Sequence, residues 1–530
     1  MADEPSVRGL HRWCFTESLP AQANAAAMFA PHEMSAPDES VRGTQRAAAA
    51  IAALVALAAA LAQAALARGP WYDEFYTQYV SRPDRPWLEA LRTSWLPDNH
   101  PPFFYMLMRA TAWLGPIETH RLVNLAFAAL AISGGWAIIR DEPRLRAPAA
   151  LLVLLLAANR WTMLSGTELR SYFISLCVGA LLSLALAGIW LSPLRGGRAK
   201  RIVYALTVLV AFNTHIVTTL ISGALIAPFF AAAMLSRDKV RLRALFPAPL
   251  AAGLVFACIA AIQLPYWSHN TQVFWIPGGL AAARLSMQYA ALRTMEANPL
   301  ILIGSAAGAV LLLRDWILTR RISSSLALSL LTGTGIALAL GVVGAIHLAR
   351  PFVTEIYLVA GMGALTWTMA LTCARLLSAL PRRVETLLLA LGLAASGIAL
   401  VGNAGAAAHR NSWLGTGRLI ARTVARCPDA TVHIDPFWNA DVMAMAPADN
   451  RRVAPWAYQV VAAQLGFRIA PATSRYLSGI CPNLFWAEHQ AGRHLDAAGA
   501  LRHIQQGGFA IRSIALYHIG NGWVASDRPL

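Results

Sequence analysis

The chain has 530 residues, 57% of them hydrophobic and 13% charged, with a mean hydropathy of +0.49. Soluble domains average about 25% charged residues, so this composition excludes an ordinary soluble enzyme and marks a polytopic membrane protein. The formal net charge of +17 does not point to nucleic acid, because the basic residues fall in short clusters between apolar runs, as they do in cytoplasmic loops.

Residues 1–46 are polar and mixed, with Arg8, Arg12, Arg42 and Arg46. No short apolar core with a small-residue cleavage site precedes Ala47, so this stretch reads as a cytoplasmic tail leading into an uncleaved first span. Hydropathy predicts about eleven spans: 47–68, 121–139, 147–164, 172–191, 202–218, 219–235, 245–263, 299–313, 325–345, 353–373 and 384–402. With the N-terminus inside, the inner loops are 140–146, 195–201, 237–243, 314–321 and 375–383. Each carries at least three Lys or Arg, and the outer connections carry far fewer. That asymmetry predicts a cytoplasmic N-terminus and a long outer loop over 69–120.

Within that loop, 101–117 is apolar but short and opens on two prolines, which predicts an interfacial helix lying on the outer surface. Residues 47–403 then form the membrane domain. Residues 404–530 contain no spanning run; strand-like pieces at 430–434 and 509–519 alternate with helix-like ones. The expected architecture is a mainly α, polytopic membrane helical bundle with a small α/β C-terminal domain on the periplasmic side. The six cysteines include no C-x-x-C pair. Cys427 and Cys481 fall in the C-terminal part, where either a disulfide or two buried thiols fits.

Ionisable groups are expensive inside a bilayer, so their positions carry information. Here they gather at the outer ends of spans, around an aromatic stretch W-Y-D-E-F-Y at 71–76 and D-N-H-P-P-F-F-Y at 98–105. Asp73 and Glu74 sit where the first span emerges among Trp71, Tyr72, Phe75 and Tyr76. Partial desolvation at such an interface raises a carboxylate towards the range of a general base. Neighbouring residues of a regular segment do not both point into one site, so one of the pair has a supporting role. His100-Pro101-Pro102 makes an extended turn that starts a helix, since proline is tolerated at a first helical position, and it reads either as an ordinary turn or as a device that aims His100 and Asp98 back at Asp73.

The segment S-G-T-E-L-R-S-Y at 165–172 supplies Glu168, Arg170 and Tyr172. If it is extended the three share a face; if helical, only Glu168 and Tyr172 do. His215, in N-T-H near the end of the fifth predicted span, reads either as a hydrogen-bonded core histidine or as a site residue. Trp275 and Pro277 fit an interfacial aromatic belt or substrate packing. Arg350, before Pro351, fits a snorkelling arginine or a phosphate contact with paired donors.

Together these pieces resemble the GT-C membrane glycosyltransferases, in particular the branch with protein O-mannosyltransferases and aminoarabinose transferases (the family 39 type). The matching residues are Asp73-Glu74, Asp98 with His100-Pro101-Pro102, Glu118 with Arg121, then Glu168, Arg170 and Tyr172, and more loosely His215 and Trp275-x-Pro277. The likeness covers roughly the first 360 residues and lies in the combination. It departs at Tyr357, which follows Ile356 where relatives often carry arginine; Arg350 is the substitute candidate.

The resemblance implies an inverting transferase taking a sugar from a polyprenyl-phosphate donor to a glycan, lipid or protein acceptor. Asp73, Glu74 and Glu168 would be the catalytic acids. Asp98, His100, Arg170, Tyr172, His215 and Arg350 would bind donor phosphate or substrate. Some relatives hold a divalent metal near the loop acids, and Asp73, His100 and Glu168 would be its ligands here. The expected location is a bacterial inner membrane, with the site facing the periplasm. One alternative class is a transporter or flippase for lipid-linked sugars, which would place its site near the midplane on broken helices and show inverted repeats, and no such self-similarity is present; another is a catalytically silent membrane anchor for 404–530.

Overall fold

The computed structural model describes residues 39–193, 197–270, 276–410, 412–434, 452–488, 496–520 and 522–530. Trp275 and most of the N-terminal tail lie outside them. Among the described residues nine helices are long and apolar enough to cross a membrane, and a tenth crossing follows if Pro143–Ala158 and Arg160–Gly166 form one broken span. The protein is a multi-pass, mainly helical membrane protein with a four-stranded sheet near the C-terminal end.

The predicted spans reappear with two changes. The third is bent by 67° at Asn159, whose side-chain oxygen accepts from the Trp161 amide at 2.8 Å and so caps the second piece as a separate helix. The fifth is the helix Gly197–Thr214, which falls outside the nine; Arg198, Lys200 and Arg201 crowd its first turn, and it stops before His215.

The bundle is built round Tyr172–Leu191 and Val359–Ala379, its two most buried spans. Their backbones touch because Gly179 and Gly363 face the crossing. A Cβ on Gly179 would collide with the Ala360 carbonyl, and one on Gly363 would meet the Leu176 carbonyl and Ala180 amide. Between helices in lipid such close approach supplies the van der Waals contact that a hydrophobic drive does not. At one end of the bundle Glu385 pairs with Arg42 (3.0 Å) and Arg46, Arg375 with Asp315 (2.7 Å), and Arg241 with Asp238 (2.6 Å). The opposite end carries every candidate described below.

That end includes the segment 101–117. Its helix, Phe103–Ala110, buries Phe104, Tyr105 and Met108 and leaves Met106 outward. Arg109 is buried too, donating to the carbonyls of Arg82 (2.8 Å) and Pro83 (3.1 Å) and so closing the loop onto itself.

The sheet has strand order β1-β2-β4-β3, from β1 (Thr431–Ile434), β2 (Asn483–Ala487), β3 (Ala515–Ile519) and β4 (Gly522–Ser526). β1 and β2 are parallel; β4 runs antiparallel to both β2 and β3. The strand expected over 509–519 is thus confined to its second half. Alternation sorts β2 between two cores. Leu484 and Trp486 join the core shared with the helices Leu414–Arg426 and Val453–Leu465, while Phe485 and Ala487 face the helix Ala497–Gln506. A Cys427–Cys481 disulfide, 5.7 Å between Cα atoms, ties the end of Leu414–Arg426 to the segment before β2.

Candidate functional site

The helix Tyr72–Val80 presents three faces to three surroundings. It starts because Trp71 is extended and Glu74, three residues on, accepts from the Trp71 amide at 3.3 Å; two acids in the first turn also suit the positive end of the helix. Tyr72, Phe75 and Tyr79 form an apolar face. Phe75 packs on Trp413 (ring centroids 5.1 Å apart) and Trp456 (6.2 Å), and Tyr79 on Trp456 (5.4 Å). The C-terminal helices therefore share a core with the helix that carries the acid pair.

Glu74 lies on the second face and is fully buried. Arg121 grips it with Nε to Oε1 and Nη2 to Oε2, both at 2.7 Å, and the Leu169 amide adds a third donor at 2.8 Å. Burial alone would push this carboxyl up, but Arg121 and Arg68 outweigh it and hold it below the ordinary value. The other donors of Arg121 reach the carbonyls of Ala65 (2.8 Å), Arg68 and Gly69 (3.1 Å) at the end of the first span. Every lone pair facing inward is used. Glu74 is occupied as a clamp and has no hydrogen-bonding capacity left for a substrate.

Glu168 belongs to this same layer. It is 2% exposed, 3.1 Å from Arg68 Nη2 and 3.5 Å from Arg410 Nη1. Burial raises its carboxyl and the two arginines only partly offset that. The segment 167–171 is neither strand nor helix, so Glu168 turns to Arg68 while Arg170 and Tyr172 turn elsewhere.

Asp73 lies on the third face with 30% of its side chain exposed. Arg170 Nη2 stands 3.9 Å from its carboxylate, and Arg170 Nη1 reaches Thr77 Oγ1 at 3.3 Å, one turn along the same helix. Arg170 lies over the Tyr172 ring at 5.7 Å. Tyr172, Tyr357 and His215 form a ring cluster, with centroids 5.0 Å apart for His215 and Tyr357 and 5.8 Å for the two tyrosines. His100 stacks edge-on against His215 at 4.7 Å.

Asp98 orients His100. It accepts from the Tyr105 hydroxyl and from the Asn99 amide (2.7 Å), and its Oδ2 stands 3.6 Å from His100 Nδ1. Burial pushes Asp98 up, but His100, Tyr105 and Asn99 together hold it below the ordinary range. Burial and the Asp98 charge in turn raise the Tyr105 hydroxyl. His215 Nδ1 accepts from the Val217 amide at 3.2 Å as the cap of Ile216–Leu235, which places the ring proton on Nε2.

Three buried nitrogens of this cluster have no hydrogen-bond partner, His215 Nε2, Arg170 Nε and His100 Nε2, while His100 Nδ1 has only the Asp98 carboxylate at 3.6 Å among the described residues. Buried polar atoms are normally satisfied, so these groups beside an open carboxylate leave donors that a polar ligand could use.

The structure therefore gathers Asp73, Asp98, His100, Arg170, Tyr172 and His215, and adds Tyr105 and Tyr357. It sets Glu74 and Glu168 apart in the clamp beneath. Arg350 is exposed and makes no ion pair among the described residues. Asp73, His100 and Glu168 do not converge as metal ligands, since Glu168 is turned to Arg68. Among the described residues no group of three His, Cys, Asp or Glu side chains is placed to hold a metal.

This arrangement of spans, loop helices and C-terminal sheet defines the class: a membrane protein of the GT-C fold. The particular likeness is to ArnT from Cupriavidus metallidurans. Its crystal structure in the apo state matches with a TM-score of 0.51 at 12% identity, covering 90% of this chain and 98% of that one. The crystal structure of the same protein bound to undecaprenyl phosphate matches with a TM-score of 0.49 at 12% identity over the same shares. At this identity the likeness speaks for the fold alone. No protein-family model matches the chain, and no curated protein does.

Proposed function

We propose that the chain is an inverting glycosyltransferase using a polyprenyl-phosphate-linked sugar, with its site facing the periplasm of a bacterial inner membrane. The observation that carries the reading is the pairing of one open carboxylate, Asp73, with unpartnered donors on Arg170 and His215, at the end of an apolar bundle. A polyprenol tail requires lipid and its sugar phosphate requires an interface, and that end of the bundle offers both. Orientation is supported by the basic loops at the other end.

In the proposed step Asp73 takes the proton of an acceptor hydroxyl as that oxygen bonds to the anomeric carbon. The bond from that carbon to the phosphate oxygen breaks, and the electron pair leaves with polyprenyl phosphate. The leaving group gains negative charge and needs donors more than a proton. Arg170 and the Nε2–H of His215 are set to supply them, with His100 held ready by Asp98. Tyr172 and Tyr357 wall the cluster and give the sugar a ring surface to lie against. Glu74 and Glu168 act at one remove, by fixing the helix and turn that carry Asp73 and Arg170. A divalent metal would need ligands other than Glu168, so no step is routed through one.

The test is Asp73→Asn in purified protein, with transfer from a polyprenyl-phosphate sugar followed by mass spectrometry of the product. Comparing cell-envelope glycans from a deletion strain identifies the sugar and the acceptor class. An Asp73→Asn protein that transfers at the wild-type rate would remove the proposed base.

A further inference from the structure

The helix Pro247–Asn270 crosses the bundle's rim with most of its surface outward: Leu250, Leu254, Val255, Ile262 and Leu264 are all exposed. Gln263 breaks that pattern. It is the one polar side chain between 247 and 264, and it is fully buried. A polar group placed there is costly unless it is satisfied by protein, and here the nitrogen is satisfied while Oε1 has no hydrogen-bond partner among the described residues.

Its Nε2 stands 3.1 Å from the carbonyl oxygen of Trp95, 3.3 Å from that of Leu96, 3.1 Å from that of Asp98 and 3.0 Å from that of His100. An amide nitrogen carries two protons, so four acceptors share two donors. All four come from one short stretch, the end of the π-helical turn Leu91–Trp95 and the residues that follow it. Their negative ends converge on a single point. Without a donor there the carbonyls would repel one another beside an apolar wall, and the stretch would open. The Leu96 amide donates to the Leu91 carbonyl at 2.9 Å.

We infer that Gln263 is the positioning residue of the Asp98–His100 turn. Its amide gathers the carbonyls of the two residues that flank Asn99. It thereby sets the His100 ring 4.7 Å from His215 and 3.6 Å from the Asp98 carboxylate. No part of Gln263 touches a reacting atom; it acts through the backbone it holds. The kinetic consequence rests on the transferase reading, whereas the placement of His100 does not.

Gln263→Met keeps length and apolar packing and removes the donor. In purified protein in lipid nanodiscs, modification of His100 by diethyl pyrocarbonate, resolved by mass spectrometry, is expected to quicken several-fold. Gln263→Lys returns donors to the same carbonyls and is expected to keep His100 protected. In turnover, Gln263→Met is expected to lower kcat by about 10–100-fold, the scale of a misplaced catalytic group. Combined with His100→Ala it is expected to add little, because both changes remove one contribution. An unchanged His100 modification rate in the Met variant, a Lys variant as reactive as the Met one, or fully additive losses would overturn the inference. If wild type transfers no sugar at all, the transferase reading fails and the modification rates alone decide the placement.

Discussion

Asp73 and Glu74 are neighbours in the chain and opposites in the structure. Glu74 sits in a sealed layer with Arg121, Arg68 and Glu168, where every charge meets an opposite charge. Asp73 sits one helical step away in a layer that is deliberately incomplete, with 30% of its side chain open and donors beside it unsatisfied. About 100° of rotation per residue separates the sealed acid from the open one. The difference teaches that charge placement near a membrane surface does not by itself single out a group; what sets Asp73 apart is a carboxylate left partly open, since an unpartnered nitrogen, Arg68 Nε, occurs in the sealed layer too.

The comparison breaks most sharply at Glu74→Ala. Removing one partner of a buried ion pair leaves an uncompensated guanidinium, which costs about 3–5 kcal/mol. Loss of a monodisperse, folded protein on size-exclusion chromatography is the expected result, and a folded Glu74→Ala protein with wild-type melting would contradict the sealed layer. Asp73→Asn should do the reverse: transfer falls by about 100–10,000-fold, as for loss of a general base, while the melting curve stays in place. Arg170→Ala is expected to cost about 100-fold, the lower end for loss of a leaving-group donor. That loss should appear mainly against the lipid donor in a two-substrate titration. Equal loss against both substrates would place Arg170 elsewhere in the mechanism.

A separate effect, on stability alone, is expected far from both layers. Glu488 is fully buried in the C-terminal part, hydrogen-bonded by Thr416 and by Trp486 Nε1 (2.8 Å), with no cation against it among the described residues. Burial pushes its carboxyl up to about 8 from the ordinary 4.5. The folded state therefore holds a proton that the unfolded state has released over that interval. Stability should decline as pH rises from about 4.5 to about 8 and level off above. Glu488→Gln should flatten this part of the profile; thermal melts at pH 6 and pH 9 whose spacing is the same in variant and wild type would disprove it.

Much of the open layer was legible in the sequence. Asp73, Asp98, His100, Arg170, Tyr172 and His215 stand out because a membrane chain has few polar residues, and hydropathy pins them to the same ends of the spans. The division of labour between them was not legible. Whether Glu168 turns to Tyr172 or to Arg68 depends on an irregular turn that no periodicity describes. Tyr357 and Tyr105 are ordinary interfacial aromatics by sequence and enter the cluster only through packing. Gln263 did leave a signal, a single amide in an apolar run, but hydropathy averages over just such a residue. Of the sheet, β1 was visible in full and β3 in part. β2 and β4 were passed over because strands buried on both faces lack the alternation by which strands are read.

The aromatic contact between the C-terminal helices and the loop helix has a consequence for how the chain can be divided. Trp413 donates its amide to the Pro70 carbonyl at 3.0 Å, and its indole covers Phe75, two residues from Asp73. The segment after the last crossing is thus a buttress, with the acid-bearing helix as the wall it props. A shortened chain stopped at that crossing would keep its membrane anchor, strip the rings from that wall, and leave Asp73 on an unsupported helix.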